Sequence, residues 1–232
     1  MAKKLFLLLL VLLGAFPAIG QEADEYRMEV GVGAGVMSHL NDANAKLFGQ
    51  MKPAGGGFVR FTFNPRHAVK VALNYGQTSG NVSGVTNFYP NQPAGTATAT
   101  RLTHEWSGGV VDVNAVYELN FWPYGYNKSY LGLRRLVPYL QVGFGFVYGT
   151  ADKVFAPSIP IGLGLKYKIT PRLNLGLEWA MHLTTTDRLD KLADPLGIST
   201  SGFKKKDHYG VTLITLSYSL SPVCPTCNKD KR

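Results

Sequence analysis

The sequence predicts an all-β fold: an eight-stranded antiparallel transmembrane β-barrel behind a cleaved N-terminal signal peptide. Three observations carry that prediction. Eight segments alternate apolar with polar or small residues at period two, short Pro-containing turns alternate with long connections, and no apolar run beyond the N-terminus is long enough for a helical span. A chain of 232 residues, 17% charged and 45% hydrophobic, with 26 Gly, 12 Tyr and 12 Phe, suits one domain and is neither disordered nor low-complexity. The formal charge of +9 comes from 24 Lys+Arg against 15 Asp+Glu, and loss of Lys3 and Lys4 with the signal leaves 22 − 15 = +7. A basic balance can mean nucleic acid, but an aromatic, glycine-rich chain behind a targeting segment points to the envelope, so no nucleic-acid partner is expected.

Residues 1–20 form the first element. Lys3 and Lys4 make a charged head, residues 5–13 an apolar run, and Ala18-Ile19-Gly20 a small-residue site before Gln21. Cleavage is expected after Gly20. The run falls short of the roughly 18 to 20 residues that span a bilayer, which argues against an anchor, and no Cys follows the site to make a lipoprotein. The mature chain then divides into a barrel at residues 21–220 and a tail at residues 221–232.

The strands follow in order. The first sets Tyr26, Met28, Val30, Val32, Ala34 and Val36 against Arg27, Glu29, Gly31, Gly33 and Gly35; the second sets Gly57, Val59, Phe61 and Phe63 against Arg60 and Thr62. After a tight turn at Asn64-Pro65-Arg66-His67, the third sets Val69, Val71, Leu73 and Tyr75 against Lys70, Ala72, Asn74 and Gly76. The fourth sets Val111, Val113, Ala115, Tyr117, Leu119 and Phe121 against Asp112, Asn114, Glu118 and Asn120, and the fifth sets Leu140, Val142, Phe144 and Phe146 against Gln141, Gly143 and Gly145. In the sixth, Ile159 to Ile169 at odd positions oppose Gly162, Gly164, Lys166 and Lys168, before a turn at Thr170-Pro171-Arg172. The seventh puts Leu173, Leu175, Leu177, Trp179, Met181 and Leu183 opposite Asn174, Gly176, Glu178 and His182, and the eighth puts Thr212, Ile214, Leu216, Tyr218 and Leu220 opposite Thr215, Ser217 and Ser219.

In a membrane barrel the apolar face meets lipid and the small and charged residues fill the lumen. The inward set contains Arg27, Glu29, Arg60, Lys70, Asp112, Glu118, Lys166, Lys168, Glu178 and His182. These would be costly in a dry core, but they can form a paired polar network. An eight-stranded interior is filled by its own side chains, so no diffusive pore is expected. An even strand number places both termini on one side, the periplasmic one, where short turns lie. The long connections around residues 38–53, 77–103, 148–157 and 184–209 would then be outside.

One connection breaks this rule. Residues 122–135, on the short-turn side, are too long for a simple turn and rich in Tyr and Arg, residue types enriched at binding hot spots. They read equally as a docking surface, carried by Tyr124, Tyr126, Tyr130, Arg134 and Arg135, and as an aromatic belt followed by solvated charge. Both cysteines, Cys224 and Cys227, lie in the tail. A redox role needs a thiol at a helix start, which is not visible here. In an oxidising compartment the choice is between a Cys224–Cys227 bridge and a disulfide to another protein, and the position past the barrel favours the second.

No metalloprotease, nucleophile-elbow, P-loop or dinucleotide fingerprint occurs, and no cofactor, metal or catalytic residue is assigned. Glu178 and His182 share a face near Thr184, Thr186 and Asp187, which could serve as orienter, base and hydroxyl in a lipid-modifying barrel; a lumen hydrogen-bond network is the simpler reading. Lys204-Lys205-Lys206 is a solvated charge run or a contact for lipopolysaccharide.

The chain resembles a family. Residues 58–66, Glu118-Leu119-Asn120-Phe121-Trp122-Pro123-Tyr124, Val137-Pro138-Tyr139-Leu140, residues 161–167, Thr186-Asp187-Arg188-Leu189-Asp190 and the Cys-Pro ending together resemble the PorG-like outer-membrane β-barrel proteins of type IX secretion. The resemblance spans nearly the whole mature chain, with a second cysteine where the family pattern has one. It implies a non-enzymatic outer-membrane component that anchors a periplasmic ring, built from a lipoprotein and its partner subunit, with Cys224 or Cys227 for covalent attachment. Besides that ring, outer-membrane lipid and lipopolysaccharide are the expected partners. A general structural or adhesive barrel acting through its outer loops, and a soluble lipocalin-like carrier, are the competing readings.

Overall fold

The computed structural model describes residues 26–40, 48–81, 105–126, 132–186, 189 and 206–222. The signal segment, Tyr130, Asp187, Lys204 and Lys205 of the lysine run, Cys224 and Cys227 lie outside the described residues. The strands are β1 (Tyr26–Leu40), β2 (Lys52–Asn64), β3 (His67–Asn81), β4 (Glu105–Asn120), β5 (Leu136–Gly149), β6 (Val154–Lys168), β7 (Leu173–Thr184) and β8 (His208–Pro222). Each pairs antiparallel with the next, and β1 pairs with β8 from Tyr26↔Pro222 to Leu40↔His208, which closes the barrel and leaves no edge. The expected eight-stranded antiparallel barrel is the fold.

Two turns show why the chain reverses where it does. Asn64 Oδ1 accepts the backbone N–H groups of Arg66 and His67, both at 2.9 Å, and Thr170 Oγ1 accepts those of Arg172 and Leu173 at 3.3 and 3.0 Å. In each, a side chain supplies the acceptor that the broken ladder no longer provides. These connections, with the one between β4 and β5 and both ends of the barrel sheet, define the turn end; the others define the loop end.

Several strands run further than the alternation indicates. β8 begins at His208 and ends at Pro222, β4 begins at Glu105, and the connection between β5 and β6 shrinks to Thr150–Lys153 rather than residues 148–157. The reason is chemical: toward the loop end the inward face is apolar too. Met37, Val110, Val147, Ala156, Tyr209, Val211 and Leu213 pack there with Leu189 of the β7–β8 connection, so the polar half of the period-two contrast disappears.

The outer face is apolar along its length, with Val32, Leu73, Leu163, Leu177 and Ile214 all more than half or about half exposed. On β6 it runs from Phe155 to Tyr167. At about 3.4 Å per residue and a tilt near 40° that is roughly 30 Å along the axis, enough to cross a hydrocarbon layer.

Candidate functional site

The lumen is built from inward positions of neighbouring strands. Glu29, Arg60 and Lys70 are directly opposite one another on β1, β2 and β3. The Arg60 guanidinium pairs with Glu29, and its Nε lies 2.8 Å from Glu118 Oε2. Lys166 Nζ reaches the same Glu118 oxygen at 2.5 Å, while Lys70 Nζ sits 2.6 Å from Glu178 and 3.7 Å from Glu118. Neutral groups complete the shell: Tyr139 donates its hydroxyl to Glu178 at 2.9 Å, Lys70 donates to Gln141 at 3.1 Å, and Asn174 donates to Glu29 at 3.1 Å. Lys168 donates to Asn174 at 3.2 Å. Three carboxylates (Glu29, Glu118, Glu178) thus sit among four cations (Arg60, Lys70, Lys166, Lys168), all nine-tenths or more buried. Burial of that charge is tolerable because each group meets an opposite charge or a hydrogen bond.

Room for the rings comes from glycine. A Cβ on Gly164 would sit 2.5 Å from the Tyr139 ring, and one on Gly31 would sit 2.5 Å from Phe58. Arg60 and Lys166 lie over those same rings, at 4.8 Å from Phe58 and 4.3 Å from Tyr139. Gly31 and Gly164 are therefore hollows for aromatic plates on neighbouring strands.

A second cluster sits nearer the loop end. One carboxylate, Asp112, takes three donors, Tyr209 at 2.7 Å, Asn74 at 3.1 Å and Asn114, and His182 Nδ1 lies 2.8 Å from it. The His182 ring stacks on Tyr209 with centroids 4.5 Å apart. Between the two clusters is a cavity of about 20 Å³ lined by Lys70, Gln141, Glu178 and His182, room for a single water.

Connections turn inward at both mouths. At the loop end Leu189, 1% exposed, drops onto Gly149, and its N–H donates to Asp207 Oδ2 at 2.8 Å. At the turn end the β4–β5 connection folds back beneath the barrel. Tyr124 N–H donates to Pro65 O of the β2–β3 turn at 2.9 Å, and its hydroxyl reaches Asn174 of β7 at 3.0 Å. Tyr124 forms a parallel bridge with Arg134, and Lys168 Nζ lies 5.0 Å from the Tyr124 ring centre. Burial pushes the Tyr124 phenol well above its ordinary value, so it remains a donor to Asn174.

This geometry sorts the residues singled out in the sequence. Glu29, Arg60, Lys70, Glu118, Lys166 and Glu178 meet in one network, while Asp112 and His182 form the second. Arg27 shares their face but is exposed at the turn-end rim. Of the docking candidates, Tyr124 is taken up in closing the mouth. Arg135 is held by the barrel, donating to Lys168 O at 3.0 Å and Ile169 O at 2.7 Å. Arg134 is exposed and lies 4.6 Å over Trp122; Tyr126 is half-buried under Arg135. The Glu178, His182 and threonine constellation does not assemble: Glu178 pairs with Lys70, His182 with Asp112, and the Thr184 hydroxyl donates to backbone oxygens of Asp207 and Thr186. His182 is buried, at 2% exposure.

Sequence reasoning assigned no role to Tyr139, Tyr209, Asn174 or Leu189. Tyr139 and Asn174 carried the signal of inward parity; Tyr209 fell in a stretch read as loop.

Comparison with known proteins places this geometry. A profile of the family "Outer membrane protein beta-barrel domain" matches residues 6–217. A search of the curated proteins finds no match. Among solved structures the chain is similar to Ail, the attachment invasion locus protein of Yersinia pestis, with 11% identity and a TM-score of 0.47 over 84% of this chain and 99% of that one. It is similar to Neisserial surface protein A at 12% and 0.47, covering 83% and 97%, and to OprG of Pseudomonas aeruginosa at 11% and 0.43, covering 84% and 97%. With the family profile spanning nearly all of a closed eight-stranded barrel with an apolar outer face, the chain belongs to the outer membrane protein beta-barrel domain family and is an integral barrel of that membrane.

Proposed function

We propose that this barrel is a non-enzymatic component of the type IX protein secretion machinery that anchors a periplasmic ring complex to the outer membrane, with both termini periplasmic. The observation that carries the reading is the filled lumen. With Tyr124 packed into one mouth, Leu189 into the other and a paired charge network between them, the described residues show no conduit for cargo, which supports work done at the surfaces. The sequence resemblance names the machine, and the turn end supplies the surface: Trp122, Tyr126 and Arg134 on the β4–β5 connection, next to where β8 delivers the tail bearing Cys224 and Cys227. The ring lipoprotein and its partner subunit are the partners, with a disulfide through Cys224 or Cys227 as the covalent link.

The test is a non-reducing pull-down of the tagged full chain from detergent-solubilised outer membranes. It is repeated with Cys224→Ser, Cys227→Ser and a chain ending at Pro222, and read by mass spectrometry. Recovery of a periplasmic ring lipoprotein, lost or freed by one of the cysteine changes, is expected. Recovery of the barrel alone from every sample overturns the reading.

A structural or adhesive barrel is the second reading, favoured by one observation. β3 and β4 stay paired from Gln77↔Gly109 to Asn81↔Glu105, beyond the last β4–β5 pair at Val110↔Gly149, so this hairpin extends past its neighbour β5 at the loop end. Deleting residues 82–104 would abolish surface attachment under that reading and leave ring recovery intact under the first.

A further inference from the structure

The turn end is cationic on its exposed side. Arg66 is at the apex of the β2–β3 turn, Arg134 on the β4–β5 connection and Arg27 at the start of β1, and all three are exposed. The first two share one platform. Asn120 N–H donates to Arg66 O at 2.8 Å, and Asn120 Nδ2 and Tyr124 N–H both donate to Pro65 O at 2.9 Å, so backbone groups tie the turn to the connection. Within the connection, Arg134 N–H donates to Pro123 O at 2.8 Å and Gly125 N–H to Arg134 O at 3.1 Å. Because Tyr124 reaches across to Asn174 on β7, this platform lies under the mouth and not on the lipid-facing circumference. The Arg134 guanidinium lies 4.6 Å from the Trp122 ring centre, and among the described residues Arg27, Arg66 and Arg134 meet no carboxylate. The carboxylates nearest this end, Glu29 and Glu118, are buried and paired with Arg60 and Lys166.

Positive charges of one sign on a rigid end face select an anionic partner. A guanidinium is a planar fork that takes a carboxylate through two parallel hydrogen bonds, and the indole beside Arg134 orients its plane. Lipid headgroups meet a barrel around its wall, at the depth of Phe63 and Phe121, the last exposed outward rings of β2 and β4. Arg66 and the Tyr124–Arg134 pair lie past those rings, on the aqueous side. We propose that Arg27, Arg66 and Arg134 form an end-face docking site for an acidic surface of a periplasmic protein, engaged through its carboxylates. This deepens the secretion reading, from which it takes only the periplasmic orientation of the turn end, by giving the ring partner's contacting face its chemistry. The attraction acts between exposed charges, so it weakens with salt and governs the rate and orientation of docking.

The experiment is fluorescence anisotropy of fluorescein-labelled poly-L-glutamate titrated with the full chain in phosphatidylcholine nanodiscs, at low and at physiological salt. Wild type should bind at low salt and weaken as salt rises. Arg66→Glu and Arg134→Glu should each weaken binding about three-fold and the double variant about ten-fold. Two controls should bind like wild type: Lys153→Glu, the same charge change on the exposed β5–β6 connection at the loop end, and a chain ending at Pro222, which lacks the basic tail. Both arginine changes leave the platform standing, since the Asn64 side chain and backbone groups hold it, and heat-modifiable migration checks each variant's fold. No binding by wild type, equal binding by wild type and the double variant, or a loss in Lys153→Glu as large as in Arg66→Glu overturns the proposal. So does loss of binding when phosphatidylglycerol replaces part of the phosphatidylcholine, which would give the arginines to headgroups. Binding that emerges only in Glu22→Gln/Asp24→Asn/Glu25→Gln would give them to the chain's own leading segment and overturn it too. The non-reducing pull-down reads the secretion proposal separately: ring recovery without polyglutamate binding removes the docking site alone, and polyglutamate binding without ring recovery removes the secretion reading and keeps the site.

Discussion

Glu118 is the hinge of the lumen's charge balance. It is fully buried and meets Arg60, Lys166 and Lys70 at 2.8, 2.5 and 3.7 Å. Glu118→Ala would leave those cations around an empty place, with only Glu29 and Glu178 to share. Removing one member of a buried ionic group costs about 3–5 kcal/mol, and urea unfolding of the barrel in lipid vesicles should show a loss of that size. Arg27→Ala, at the exposed rim, should stay within about 0.5 kcal/mol in the same assay. Gly164→Val tests the steric side: its side chain would press into the Tyr139 ring, which is itself held by Glu178, so overpacking of about 1–3 kcal/mol is expected. An unchanged unfolding midpoint would show that Tyr139 moves aside freely.

Among elements, the β4–β5 connection is the least ordinary. It is not a hanging loop, because Tyr124 and Arg134 pair and Tyr124 is tied to both the β2–β3 turn and β7. Tyr124→Phe removes one hydrogen bond to Asn174 and should cost about 0.5–1.5 kcal/mol. Tyr124→Ala removes the cover itself, yet the Arg60, Glu118 and Lys166 layer above remains on strands. Planar-bilayer recordings of wild type and Tyr124→Ala should therefore both stay at baseline. Stepwise conductance from wild type would contradict the sealed lumen. The polar face of each strand was readable in the sequence, but the inward fold of this connection was not. Tyr and Arg at a membrane boundary suit a docking face, a belt or a plug equally well, and the partner that decides, Asn174, comes from a distant strand.

At the scale of the whole molecule, the outer face decides where the barrel resides. Leu163, 55% exposed midway along β6, belongs to a band with no charged side chain among its described neighbours Ile161 and Leu165. Leu163→Arg should cost about 2–4 kcal/mol in vesicles, as expected for a cation at the bilayer midplane. A cost near zero would place that row outside hydrocarbon. Closure of β1 on β8 reaches Pro222, so a chain ending there keeps its last pair with Tyr26, whereas one ending at Leu220 loses it. The first should run as a folded, heat-modifiable band on a gel and remain inserted.

The sequence by itself determined the all-β class, the number of strands, the inward and outward faces of the alternating stretches, and the two tight turns. All of these follow from period-two alternation and from side chains that bond their own backbone. What only the tertiary structure decided is how the lumen is organised. Met37, Val110, Tyr209 and Leu213 point inward although apolar, so nothing in local periodicity separates them from lipid-facing residues. The pairing of Glu29 with Arg60, of Asp112 with His182 and of Tyr124 with Asn174 joins residues tens of positions apart. Those partners are chosen by strand register and barrel closure, which exist only once all eight strands have met.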